Sequence, residues 1–160
     1  MKKNTEKTNV MRILDQHKIE YTSYNYVDTK AVSGVEVAKA LGEDEALAYK
    51  TLVTVGQSKK HYVFMIPVAR ELDLKKAAKV TGEKSIEMIK SKELLPLTGY
   101  IHGGCSPIGM KKQFDTILDI SARQHEKIFF SGGRIGFQVQ TAPGNLEKLI
   151  GLRYEDVTVD

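Results

Sequence analysis

Val10, Ile13, Leu14 and His17 recur at the three- and four-residue spacing of an amphipathic helix. Ile19 to Tyr26 then turns aromatic and β-branched, the composition of a strand. Ser33-Gly34-Val35-Glu36 has the spacing of a capping box, and Val37, Ala38 and Leu41 mark a helix face that Gly42 ends. Two strands are expected over 48–55 and 61–68, joined by Gly56-Gln57-Ser58-Lys59-Lys60 as a hairpin. The second carries Tyr62-Val63-Phe64-Met65-Ile66, apolar on both faces, so it should lie centrally in its sheet.

Asp73 can cap a helix bearing Leu74, Ala77 and Ala78 and closed by Gly82, and Ser85 can cap a short one through Ile86 and Ile89. The texture then changes: eight of the 13 glycines fall between Gly99 and Gly144, among strand candidates at Thr116–Ile120, Ile128–Phe130 and Ile135–Thr141. In the last, Ile135, Phe137 and Val139 alternate with Gly136, Gln138 and Gln140. Pro143, Leu146, Leu149 and Ile150 give a closing helix stopped at Gly151. Short strands with early and late helices predict an α+β fold, a mixed, barrel-like curled sheet flanked by helices, rather than a βαβ wind. With no repeat, low-complexity segment or linker, residues 1–160 read as a single domain.

Length and composition narrow the function classes. A chain of 160 residues supports one full core, and 41% hydrophobic with 28% charged residues is a globular balance. No apolar run approaches membrane-spanning length, and Met1-Lys2-Lys3-Asn4-Thr5-Glu6 does not open a secretory signal. Cys105 is the sole cysteine, which fits a reducing cytoplasm, and the net charge of +4 is compatible with a nucleic-acid partner without requiring one.

Lys50 lies in the otherwise neutral strand Ala48-Tyr49-Lys50-Thr51-Leu52-Val53-Thr54-Val55, on the face of Ala48, Leu52 and Thr54. A lysine there either snorkels to water or serves as a fixed cation for a carbonyl or ester oxygen. Two glycine-rich loops, Gly103-Gly104-Cys105-Ser106-Pro107-Ile108-Gly109 and Ser131-Gly132-Gly133-Arg134-Ile135-Gly136, could bring backbone N–H groups close to a ligand. Gly132-Gly133 alone reads most simply as a hairpin turn, whereas Pro107 stiffens the first loop. Neither Ser106 nor Ser131 sits in a Gly-x-Ser-x-Gly elbow, and there is no phosphate-loop pattern. His102 and Cys105 suggest a rival nucleophile pair, but a lone cysteine is more often a small buried hydrophobe. His17, His61 and His125 are scattered, so no metal or other cofactor is expected. Tyr21, Tyr24 and Tyr26 form an aromatic cluster, and Lys75, Lys76, Lys79 and Lys84, with Lys111, Lys112 and Arg134, either track a phosphate backbone or simply solubilise the surface.

The segments Tyr49-Lys50-Thr51-Leu52, Leu72-Asp73-Leu74-Lys75-Lys76-Ala77-Ala78, Thr98-Gly99-Tyr100, Gly103-Gly104-Cys105-Ser106-Pro107-Ile108-Gly109 and Ser131-Gly132-Gly133 resemble, in this order, the YbaK/EbsC-type Cys-tRNA(Pro) deacylases. These belong to the superfamily of the editing domain of prolyl-tRNA synthetases. The resemblance spans about Val10 to Asp156 and implies a trans-editing enzyme that removes cysteine mischarged on tRNA(Pro). It implies Lys50 as the essential lysine, Tyr26 and Ser131 as pocket residues, and Gly103, Gly104, Ser106, Gly132 and Gly133 as acyl-site walls. The implied chemistry is attack of the substrate's own thiol on its ester; from the glycine loops themselves, the Gly103-Gly104 and Gly132-Gly133 amides are expected to face the carbonyl. The implied partners are mischarged tRNA(Pro) and prolyl-tRNA synthetase, with neither DNA nor membrane. Three alternatives stand beside it: a deacylase for alanine or another small amino acid using water, a non-catalytic tRNA- or synthetase-binding module, and a Cys105-dependent hydrolase.

Overall fold

The computed structural model describes residues 6–160, so the reading of the first five residues as no signal lies outside the described residues. Thr8 caps the first helix, α1 (Asn9–Gln16), by accepting from the Met11 N–H, and the helix buries Val10, Met11 and Leu14. β1 (Thr22–Asn25) follows, then α2 (Gly34–Leu41), whose Ser33–Glu36 capping box forms in both directions and whose C-cap Gly42 is left-handed at φ 68°. β2 (Tyr49–Gly56) and β3 (His61–Pro67) form the expected antiparallel hairpin. Asp73 accepts from the N–H groups of Lys75 and Lys76 to open α3 (Leu74–Thr81), which ends at left-handed Gly82.

Beyond Gly82 the structure departs from the expected elements. The expected short helix after Ser85 is instead β4 (Ile86–Met88), because Ile86, Glu87 and Met88 pair with Gly56, Val55 and Thr54 of β2. Non-local sheet pairing outweighs a weak local cap. α4 (Ser91–Thr98) carries no side-chain cap and contains Pro96, so it lacks the signals that announce a helix. β5 (Asp115–Asp119) and β6 (Ile128–Ser131) lie close to their expected spans. β7 (Phe137–Thr141) starts two residues later than the alternation suggests, since Gly136 at φ 99° and the Phe137 N–H to Arg134 O bond belong to the turn. α5 (Pro143–Leu149) and a further strand, β8 (Leu152–Glu155), complete the order.

The strands form a three-stranded sheet, β1-β7-β6, and a five-stranded mixed sheet, β4-β2-β3-β5-β8. They remain two open sheets, with an isolated parallel bridge between Ala48 and Phe129 joining them, so the fold is α+β as expected while the barrel is not closed. β3 lies between β2 and β5 and is buried on both faces. Val63 and Met65 join the main core with α1, Leu118, Phe130, Val139 and Leu146, whereas Tyr62, Phe64 and Ile66 pack with Ala77, Ala78 and Val157. No helix among the described residues is long and apolar enough to cross a membrane.

Candidate active site

A cavity of about 430 Å³ with a mainly apolar lining opens along β2, where the five-stranded sheet meets the end of β6. Six consecutive residues, Ala48 to Val53, line it. Side chains alternate between the faces of a strand, so a continuous run can line one cavity only where the cavity wraps the strand's edge. The remaining wall comes from the α2 N-terminus, the β4–α4 segment, the loop after Tyr100, and the facing ends of β6 and β7.

Lys50 reaches this cavity half-buried. Burial pulls its ammonium below the usual lysine range, and the Glu71 carboxylate partly opposes that shift. Tyr26 is 4% exposed and also lines the cavity. It is held where its N–H donates to Gly136 O at 2.7 Å and its own carbonyl accepts from Thr29 Oγ1 at 2.6 Å. Burial raises its phenol above the ordinary tyrosine value, offset in part by the Gly136 backbone. Ser131 ends β6, directly opposite Gln138 of β7, and both face the cavity. Gly103 completes this group: at φ 89° its missing side chain leaves space, since a Cβ would stand 2.9 Å from Val32 Cγ1.

The other glycine-loop residues support the wall from behind. Gly104 donates its N–H to Ile101 O, Gly132 to Phe137 O and Gly133 to Ser131 Oγ. Three of the four amides expected to face a carbonyl are therefore engaged within the protein, which corrects that expectation; Gly132 forms the hairpin turn of the simpler reading. Ser106 is fully buried and its Oγ accepts from the Ile108 N–H, fixing the loop rather than lining the cavity. His102 and Cys105 both border the cavity, but burial pushes the Cys105 thiol up to about 12. A thiol so protonated at neutral pH is a poor nucleophile, which argues against the cysteine hydrolase. Of the basic stretch, Lys76 is tied to Asp156, Asp160 and Thr158 O, partners that compete with any phosphate for its ammonium.

Sequence reasoning missed one polar pair. Gln138, 5% exposed, donates Nε2 to Glu43 Oε1 at 3.0 Å, while Gln138 Oε1 and Glu43 Oε2 are buried without partners. Burial raises the Glu43 carboxyl above its ordinary value, the Gln138 bond partly countering it. Glu43 reads as a solvated loop residue because its partner lies 95 positions away.

An edge-strand cavity with a half-buried lysine, a tyrosine and a serine invites comparison with known proteins. The aminoacyl-tRNA editing domain family matches residues 29–149. The chain belongs to that family. It is 44% identical over 158 residues, 98% of its own length and 96% of the other's, to EbsC of Enterococcus faecalis, named for Cys-tRNA(Pro)/Cys-tRNA(Cys) deacylation. A 22% identical relative, YwhH of Bacillus subtilis, matches over 76% of each chain. Among solved structures, a trans-editing protein for prolyl-tRNA synthetase superposes with a TM-score of 0.81 at 23% identity, covering 98% of this chain and all of the other. The protein APE2540 superposes with a TM-score of 0.87 at 21% identity, covering 95% of this chain and 100% of that one. At those identities the structural matches establish the shared fold.

Proposed function

We propose that this editing-domain protein removes cysteine mischarged on tRNA(Pro), acting in trans as a single catalytic domain in the cytoplasm beside prolyl-tRNA synthetase. The observation that carries the reading is Lys50, a half-buried amine on a cavity that also presents Tyr26 and Ser131. The full-length relationship to EbsC supports cysteine as the amino acid and tRNA(Pro) as the carrier.

Chemically, the substrate thiol gives up its proton, its sulfur bonds to the ester carbonyl carbon, and the carbon–oxygen bond to the terminal ribose breaks. The ribose oxygen recovers a proton, and a thiolactone and free tRNA result. The protein's task is to hold the acyl group in a conformation that allows this attack and to stabilise the charge that develops on oxygen. Lys50 supplies the cation, and low local polarity strengthens its effect. Tyr26 and Ser131 orient the acyl group and terminal ribose, with the Gly103 loop closing the wall and the Gly104, Ser106, Gly132 and Gly133 hydrogen bonds keeping that wall rigid.

The test is deacylation of Cys-tRNA(Pro) by the wild type and Lys50→Ala. Loss of one transition-state donor in a dry site costs about 10²–10³-fold in rate. Full turnover by a folded Lys50→Ala protein refutes the assignment. Replacing the substrate thiol with a methylthioether should stop thiol-assisted cleavage; an unchanged rate identifies water as nucleophile and favours a deacylase for another small amino acid.

A further inference from the structure

The cavity occupies a gap in strand pairing. Val68 donates its N–H to Ala48 O and Gly56 donates to Lys60 O, so the hydrogen-bonded pairs of the β2–β3 hairpin fall at even positions of β2. The N–H and C=O groups of the odd residues therefore project from the opposite edge. Ile89, donating to Val53 O at 3.3 Å, confirms that direction. At one end of this edge β4 pairs with Thr54, Val55 and Gly56. At the other, β6 reaches the strand through the Phe129–Ala48 bridge. Between them stands Thr51, its main-chain donor and acceptor unpaired among the described residues and directed into the cavity wall.

We propose that the main chain of Thr51 grips the substrate's aminoacyl group as a one-residue strand, its C=O accepting from the α-amine and its N–H donating to the acyl carbonyl. This rests on the deacylase reading above and specifies how that site binds its substrate class, the esters of α-amino acids. An amide donor and acceptor on a strand edge match the amine and carbonyl of any α-amino acid, as in β-strand addition of peptides. Such a grip is blind to the side chain, so discrimination between amino acids falls to the rest of the cavity. It also places the acyl carbonyl next to Lys50, the preceding residue.

Thr51→Pro removes the N–H, and proline is tolerated at an edge position whose N–H points out of the sheet. A second variant carries the α-hydroxy acid analogue of threonine at position 51, which replaces that N–H by oxygen and keeps the side chain. Each is checked by circular dichroism and assayed on Cys-tRNA(Pro) beside wild type, and wild type is also given 3-mercaptopropionyl-tRNA(Pro), which retains the thiol and lacks the amine. The expected result is KM raised about tenfold for the folded variants and for wild type on the desamino substrate, one lost hydrogen bond each. KM within twofold of wild type for the α-hydroxy variant, or equal KM for both substrates, overturns the proposal. Wild type that leaves Cys-tRNA(Pro) intact overturns the deacylase reading instead.

Discussion

Replacing Glu43 by glutamine should make the protein more stable at neutral pH, although nothing is added to the core. In the wild type the Glu43 carboxylate accepts one hydrogen bond from Gln138 and leaves Glu43 Oε2 and Gln138 Oε1 buried and unpaired. An ionised carboxylate has no donor to offer the Gln138 oxygen, whereas the amide of Glu43→Gln has. Two effects then act in the same direction: a buried charge is removed, and an orphan acceptor gains a partner. A buried unsatisfied acceptor costs about 1–3 kcal/mol, and the half-buried position of Glu43 puts the gain near the lower end, about 1 kcal/mol. For a chain of this size that is a rise in Tm of about 2–4 °C. The sign with pH follows from the raised carboxyl pKa. Glu43 holds its proton more tightly folded than unfolded, so the wild type loses stability as pH rises through the folded pKa and keeps it below the unfolded one. Thermal melts of both proteins at pH 7.5 and pH 4 should show the advantage of Glu43→Gln at the higher pH and little at the lower. Equal melting temperatures at pH 7.5, or an advantage undiminished at pH 4, refute the reasoning.

Lys50→Ala should lose about 10²–10³-fold in deacylation rate and melt no lower than wild type, since it removes a half-buried cation; melting curves and single-turnover assays read both. Gly136→Ala places a Cβ 2.3 Å from Val27 Cγ2 at φ 99°, so it should displace the turn after Tyr26, lower Tm and raise KM together. Cys105→Ala should keep turnover within a few-fold of wild type, and iodoacetamide at pH 8 should leave the wild-type thiol unmodified, because burial keeps it protonated. Rapid alkylation with loss of turnover would revive the cysteine-nucleophile alternative.

Local chemistry made much of the fold readable. Thr8, Ser33 and Asp73 cap helices with their own side chains, Gly42 and Gly82 end them, and the β2–β3 hairpin follows from alternation around a glycine turn. These signals depend on neighbours a few residues apart, so a linear reading contains them. β4 and β8 are short strands defined by what they pair with, and α4 lacks both a cap and a clean apolar stripe, so they were legible only after folding. The site divides the same way. Lys50 and the Gly103 loop stood out as residue types, while Tyr26 and Ser131 were singled out by the family resemblance, and periodicity left open whether Lys50 faced water. The Glu43–Gln138 pair and the unpaired edge at Thr51 belong to no segment of sequence. Long-range packing brings the first together, and the mismatch between where β6 leaves β2 and where β4 joins it creates the second. α1, α2, α3, α5 and the central hairpin could be read along the chain, because caps, glycine stops and alternation act within one turn or one strand. Which backbone groups stay free to meet a substrate is settled by folding, because it depends on which strands arrive to pair with them.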